Sequence, residues 1–130
     1  MALDPGKSTE LTVAVDESMT ADRLGNPGMT VFATPALVRY FEGVAVQLLA
    51  PELGPGQSSV GSYLEVRHLA ATPVGMKITF RATLTEIDGR RLVFRLEAAD
   101  ERERVGEGVH ERFIVDADKF LNRAQAKAHQ

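Results

Sequence analysis

Four groups of residues carry side chains able to do chemistry: Thr34, Glu42, His68, and the run Gly106-Glu107-Gly108-Val109-His110-Glu111-Arg112. A threonine hydroxyl becomes a nucleophile when a base takes its proton, or it positions a water or a substrate. Imidazole is the natural base, because its ordinary pKa lies near neutral pH. A carboxylate in apolar surroundings is paired, protonated or kept for chemistry. An arginine in a strand flanked by glycines can hold an anion or pair with a carboxylate, since glycine permits close backbone approach. Each residue also has an ordinary reading. Thr34 can be a plain helix cap, His68 a satisfied or exposed loop histidine, Glu42 a glutamate at the margin of a buried face, and Arg112 one half of a cross-strand ion pair.

The element that must position Thr34 and Glu42 is the apolar stretch Ala36 to Leu49. Leu37, Phe41, Val44 and Leu48 recur at helical spacing, and Val38, Ala45, Val46 and Leu49 widen the stripe. Thr34 suits the N-cap and Pro35 the first helical position, while Pro51 closes the pattern. The helix neighbours of Glu42 are Val38, Ala45, Val46 and Leu49, so the carboxylate sits within apolar surface. Thr34 and Glu42 are eight residues apart, a rise of about 12 Å, so they cannot touch along one helix. They can flank one substrate.

The other elements follow period two. Leu11, Val13 and Val15 mark a first strand, and Asp16 to Thr30, with Gly25, Asn26, Pro27 and Gly28, reads as a long loop. After the turn-rich ELGPGQSS, Val60, Ser62, Leu64, Val66 and His68 are expected to face the helix, with Gly61, Tyr63, Glu65 and Arg67 facing away. Ile78, Phe80, Ala82 and Leu84, then Leu92, Phe94, Leu96 and Ala98, predict two core-facing strands joined at a two-residue Asp88-Gly89 hairpin. A charged turn from Asp100 to Arg104 leads to a last strand through Val109 to Val115. Asp116 then caps a short helix with Phe120 and Leu121. The fold class is α+β, one domain over 1–130 with flexible ends at 1–7 and 124–130. The helix is too apolar for one sheet face to cover, which predicts a second copy.

Composition narrows the function classes. Fifteen basic and 18 acidic residues give a net charge of −3, which argues against nucleic-acid binding through overall charge. There is no cysteine, hence no disulfide, thiol nucleophile or cysteine metal site. His68, His110 and His129 lie far apart without metal-ligand spacing, so no metal site is expected. No apolar run approaches the roughly 20 residues of a membrane span. The opening MALDPGKSTE lacks the basic and apolar regions of a signal peptide, so a cytoplasmic location is expected.

Taken together, VFATPALVRYFEGVAVQLL, VGSYLEVRHLAATPVG, EIDGRR and GEGVHERFIVDADKF resemble, in register from about Val31 to Phe120, the fluoroacetyl-coenzyme A thioesterase group of the hotdog superfamily. The resemblance implies a hotdog fold, an antiparallel sheet wrapped around the helix, working as a homodimer; a tetramer of such dimers is compatible. It also implies hydrolysis of an acyl-coenzyme A thioester, with no metal or cofactor beyond the coenzyme A of the substrate. Thr34, Glu42 and His68 match the family's catalytic threonine, glutamate and histidine; Gly61 and Arg112 match substrate-binding positions. The Gly61 amide and the helix N-terminus near Thr34 are candidate oxyanion donors. Members selective for fluoroacetyl groups carry a phenylalanine gate before Phe-Ala-Thr. Here that segment reads LGNPGMTVFAT, which predicts a wider pocket and a short or medium acyl group other than fluoroacetyl. A non-catalytic acyl-coenzyme A or small-ligand binding protein on the same fold is the alternative from another class. A hotdog hydratase would use an Asp/His pair in a motif this chain does not carry.

Overall fold

Two apolar patterns of different period have to bury each other, and they do so in one core. The structure, a computed structural model, describes residues 3–129; Met1, Ala2 and Gln130, which belong to the ends read as flexible, lie outside the described residues. The elements are β1 (Ser8–Ala14), α1 (Thr34–Leu49), β2 (Gln57–His68), β3 (Lys77–Asp88), β4 (Arg91–Ala99), β5 (Arg104–Asp116) and α2 (Ala117–Ala126), with short 3-10 turns at Glu17–Met19, Ala50–Glu52 and Lys127–His129. The five strands form one antiparallel sheet in the order β1-β3-β4-β5-β2, and α1 packs across β3, β1 and β2. This is the α+β hotdog arrangement.

Leu37, Phe41, Val44, Ala45, Leu48 and Leu49 of α1 are fully buried against Ile78, Phe80, Ala82 and Leu84 of β3 and Leu92, Phe94 and Leu96 of β4. Phe80 anchors the layer, edge-on to Phe41 with ring centroids 5.7 Å apart. The opposite side of α1 is uncovered: Arg39, Gly43, Val46 and Gln47 are exposed. Residues ahead of β1 are tied to the fold, with Gly6 N donating to Leu84 O and Lys7 paired to the almost fully buried Glu52 side chain at 3.0 Å.

Three local features depart from the pattern read in the sequence. The helix begins at Thr34 itself, with Ala33 as the flanking residue and no side-chain cap; Pro35 lies inside the first turn. The Thr34 hydroxyl is engaged elsewhere, and Pro35 has no amide hydrogen to satisfy. The hairpin pairs Asp88 with Arg91, so its two-residue loop is Gly89-Arg90. Only Gly89 has positive φ, at 61°, which matches a turn with glycine in its first central position.

The third departure shapes the site. The β2–β5 register runs Gly61↔Arg112 and then Tyr63↔Glu111, leaving Ser62 as the extra residue of a β-bulge. One inserted residue reverses the side-chain parity of a strand. Leu64, Val66 and His68 keep the helix-facing side, as expected. Upstream of the bulge the faces exchange: Gly61 looks toward α1, and Val60, paired with Phe113, looks away.

β5 packs tightly against β2 where it carries glycine. A Cβ on Gly108 would lie 2.3 Å from the Glu65 carbonyl oxygen and 3.0 Å from a Val66 methyl. Backbone on one side leaves little room to yield. Gly108→Ala is expected to destabilise the domain by about 1–3 kcal/mol. Thermal unfolding followed by circular dichroism should show a midpoint several degrees lower; an unchanged midpoint would refute the packing argument.

Candidate functional site

The β2 strand delivers His68 at its end, beside the start of α1, where Thr34 stands on the first turn. The Thr34 hydroxyl lies 2.8 Å from His68 Nδ1. This contact replaces the cap that Thr34 could have made, so the ordinary reading of Thr34 does not hold. The imidazole is edge-on to the buried Phe32 ring, and its Nε2 is buried with no hydrogen-bond partner. Burial pushes the pKa of His68 below the usual 6.5. A neutral imidazole at neutral pH can accept the hydroxyl proton through Nδ1. Thr34 and His68 open into a cavity of about 320 Å³ lined by Val31, Phe32, Leu69, Ala70 and Ala71.

Glu42, Gly61 and Arg112 form a second cluster. Arg112 is 6% exposed, and its guanidinium is held on several sides. Nε–H donates to Ser59 Oγ at 2.9 Å, Nη2–H to the Ser59 carbonyl at 3.0 Å, and Nη1–H to His110 Nε2 at 3.1 Å and Glu42 Oε1 at 3.5 Å. Burial pushes the Arg112 pKa down and Glu42 opposes the shift. Gly61 closes the cluster from below: a Cβ there would come within 2.8 Å of Glu42 Oε1 and 3.2 Å of the His110 ring. Only glycine lets the helix carboxylate approach the strand so closely. Glu42 keeps 44% of its side-chain surface exposed, so it can reach a ligand while paired.

The structure therefore brings the five expected residues into two groups, Thr34 with His68 and Glu42 with Gly61 and Arg112. Within this chain Glu42 pairs with Arg112 and not with His68. Along α1 the two groups are separated by about 12 Å. Two further side chains belong to the second group: His110, which lies in the run named in the sequence but has no role of its own there, and Ser59, which the sequence does not mark. The signal for His110 was available, since a period-two strand that turns Arg112 inward must also turn His110 inward. His110 is 1% exposed. The cross-strand ion pair expected in this motif is made by its other member, Glu111, to Arg91 at 2.9 Å. A separate cavity of about 280 Å³ lies on the sheet face away from α1, between Arg67, Arg95, Arg104 and Glu65, Glu97, Glu107. Arg95, Arg104, Glu97 and Glu107 pair among themselves, as in Arg104–Glu97 at 3.0 Å, and none of the five residues lines it.

Comparison with known proteins identifies the family and the fold. The family model for fluoroacetyl-CoA-specific thioesterases (FlK) matches residues 15–118. The fluoroacetyl-CoA thioesterase of Streptantibioticus cattleyicolor is 40% identical over 97 residues, covering 75% of this chain and 70% of that protein. The crystal structure of a single-residue variant of FlK superposes with a TM-score of 0.93 at 32% identity over 98% of both chains. A thioesterase superfamily member from Thermus thermophilus superposes with a TM-score of 0.89 at 28% identity, covering 98% of this chain and 97% of that one. By the extent of the family match and the identity to its curated member, the chain belongs to the fluoroacetyl-CoA-specific thioesterase family.

Proposed function

We propose that this protein hydrolyses acyl-coenzyme A thioesters to the free acid and coenzyme A. The observation that carries the reading is the 2.8 Å contact between the Thr34 hydroxyl and the neutral His68 at an open cavity, in a chain of this family. A thioester carbonyl is already activated, so the enzyme has to supply a nucleophile with its base and a polar group for the charge that develops on oxygen. His68 takes a proton from Thr34 or from a water that Thr34 positions. Glu42, anchored by Arg112 and packed against Gly61, faces the carbonyl from the opposite side, while the helix N-terminus near Thr34 and the Gly61 amide are the donors for the charge that develops on oxygen. The chemistry uses protein side chains and water.

The two groups act on one carbonyl when two copies of the chain combine. The separation along α1 supports this reading, as do the uncovered side of α1 and the position of β2 at the edge of the sheet, with its outer ladder unpaired. Antiparallel pairing of β2 with β2 of a second copy places His68 of one protomer beside the Glu42 cluster of the other. The interface is then isologous and creates two equivalent sites.

The acyl group is a short or medium one, without strict selection for fluoroacetyl. In the loop ahead of Phe32, Gly28 has φ +88° and Met29 is 52% exposed, so no aromatic ring stands over the Thr34 cavity from this segment. The positive φ disfavours any larger residue at position 28 without a change of backbone.

Thiol release from a panel of acetyl-, fluoroacetyl- and longer acyl-coenzyme A thioesters tests the activity and the selectivity together. Turnover of several acyl groups at comparable kcat/KM is expected, with Thr34→Ala, Glu42→Ala and His68→Ala each losing about 100-fold or more. Saturable binding without thiol release would make the protein a binding protein, and a strong fluoroacetyl preference would refute the open pocket. Mixing Thr34→Ala with Glu42→Ala protein after reversible dissociation tests the shared site. Mixed dimers contain one intact site, so activity should return to about a quarter of wild type; no recovery places all residues in one protomer. The pH profile of kcat/KM should have its acid limb below 6.5, because His68 works unprotonated and its pKa is depressed. Stability follows the same sign: the unfolded chain binds more protons at His68 and His110 than the folded one, so stability is complete above about 6.5 and falls as pH drops toward the folded pKa values. A limb above 6.5 would contradict the burial of His68.

A further inference from the structure

We infer that His110 is a positioning residue for the reaction: as a neutral acceptor locked in one tautomer, it aims Arg112 at Glu42 and thereby sets the carboxylate over Gly61. The inference rests on the thioesterase reading, and nothing in the family pattern assigns a role to His110.

The hydrogen-bond inventory fixes the tautomer. His110 Nδ1 lies 2.8 Å from the Tyr63 carbonyl oxygen, which can only accept, so Nδ1 carries the proton. His110 Nε2 lies 3.1 Å from Arg112 Nη1, which can only donate, so Nε2 is a lone pair. Both ring nitrogens are thereby satisfied in a side chain that is 1% exposed. The acceptor matters because Arg112 Nη1 is the atom shared between His110 and Glu42. One of its hydrogens is claimed by His110, which turns the other toward Glu42 Oε1. Ser59 holds the far side of the guanidinium through Nε and Nη2.

The Ser62 bulge belongs to this device. Tyr63 is the first residue paired after the irregularity, and its carbonyl accepts from the imidazole. His110 therefore ties the bulge that turns Gly61 inward to the arginine that holds Glu42, three elements through one ring. Protonation would put a hydrogen on Nε2, pointing at a guanidinium hydrogen, and break the shared arrangement. The charged groups facing the ring are Arg112 from β5, Glu42 from α1 and, farther off, Glu111; β4 presents only the Phe94 ring. Burial and Arg112 both favour the neutral form, against the Tyr63 carbonyl and the two glutamates.

The test compares His110→Gln, which keeps an acceptor, with His110→Leu, which fills the space without one, each in wild-type and Arg112→Ala backgrounds. Acetyl-coenzyme A turnover by His110→Leu should fall about 30-fold or more in kcat with KM within about threefold, and His110→Gln should recover part of the loss. In the Arg112→Ala background His110→Leu should cost less than about threefold, since the group it acts through is gone. Equal losses in both backgrounds, or a kcat unchanged while only the melting midpoint falls, would overturn the positioning role. Should the variants fail to fold, the wild-type imidazole resonances decide: proton–nitrogen correlation spectra must show the neutral Nδ1–H form at about pH 7 to 8, above the ordinary histidine pKa. The Nε2–H or charged form would overturn the inference. A wild-type protein that releases no thiol from any acyl-coenzyme A would defeat the thioesterase reading instead, and the tautomer would still be read directly.

Discussion

A guanidinium buried between a helix and two strands is the constraint around which the rest of this protein is arranged. Burying a charge is costly unless its hydrogens are all received and a counter-charge is at hand. Arg112 meets that demand with an unusual set of partners: a serine hydroxyl and carbonyl from β2, a histidine from its own strand, and a carboxylate from the middle of α1. Each partner then constrains something else. The serine pins the start of β2, the histidine pins the bulge, and the carboxylate fixes how α1 lies over the edge of the sheet. A side chain at position 61 would displace the carboxylate from where it now lies, because the carboxylate and the ring occupy the space it would fill.

The core supplies the rigidity this cluster needs. Phe41, the residue next to Glu42, locks α1 onto Phe80 of β3, so the carboxylate sits on a rigid element and not on a loop. The Thr34 end of the same helix is looser in kind: Thr34 is exposed, and the His68 side chain closes β2 just where the chain leaves the sheet. One helix thus carries both polar groups, with the ordered pair in the middle and the accessible pair at its start.

Much of this was legible before the structure. The helix and the β3–β4 hairpin were readable because bulky apolar residues recur over three or more periods, and a pattern that long outweighs local propensity. The facing of His68 followed from counting along β2 after the bulge. The facing of Gly61 did not, because one extra residue reverses parity and Ser62 bears no mark that it is the extra one. Thr34 was misplaced for a different reason: capping is judged from local sequence, whereas its hydroxyl is taken by a residue 34 positions away. The two-group arrangement was half visible, since helix rise alone separates Thr34 from Glu42. The inward turn of His110 was visible in the alternation of β5, but the reading of the motif rested on Arg112 alone.

The segment ahead of α1 is fastened at both ends. Ala21 N donates to Val31 O, Asp22 N to Met29 O, and the Asp22 carboxylate receives the Gly28 amide at 2.8 Å, while Thr20 and Phe32 bridge as an isolated β pair. The loop between these clasps contributes no side chain to the buried core. Apart from Gly25 and Gly28, whose positive φ favours glycine, its tip can be exchanged or lengthened while the clasps hold Phe32, Ala33 and Thr34 in place. Such a layout lets substrate preference drift through one exposed segment during evolution, at little cost to folding and without disturbing the histidine and arginine that the fold has already immobilised.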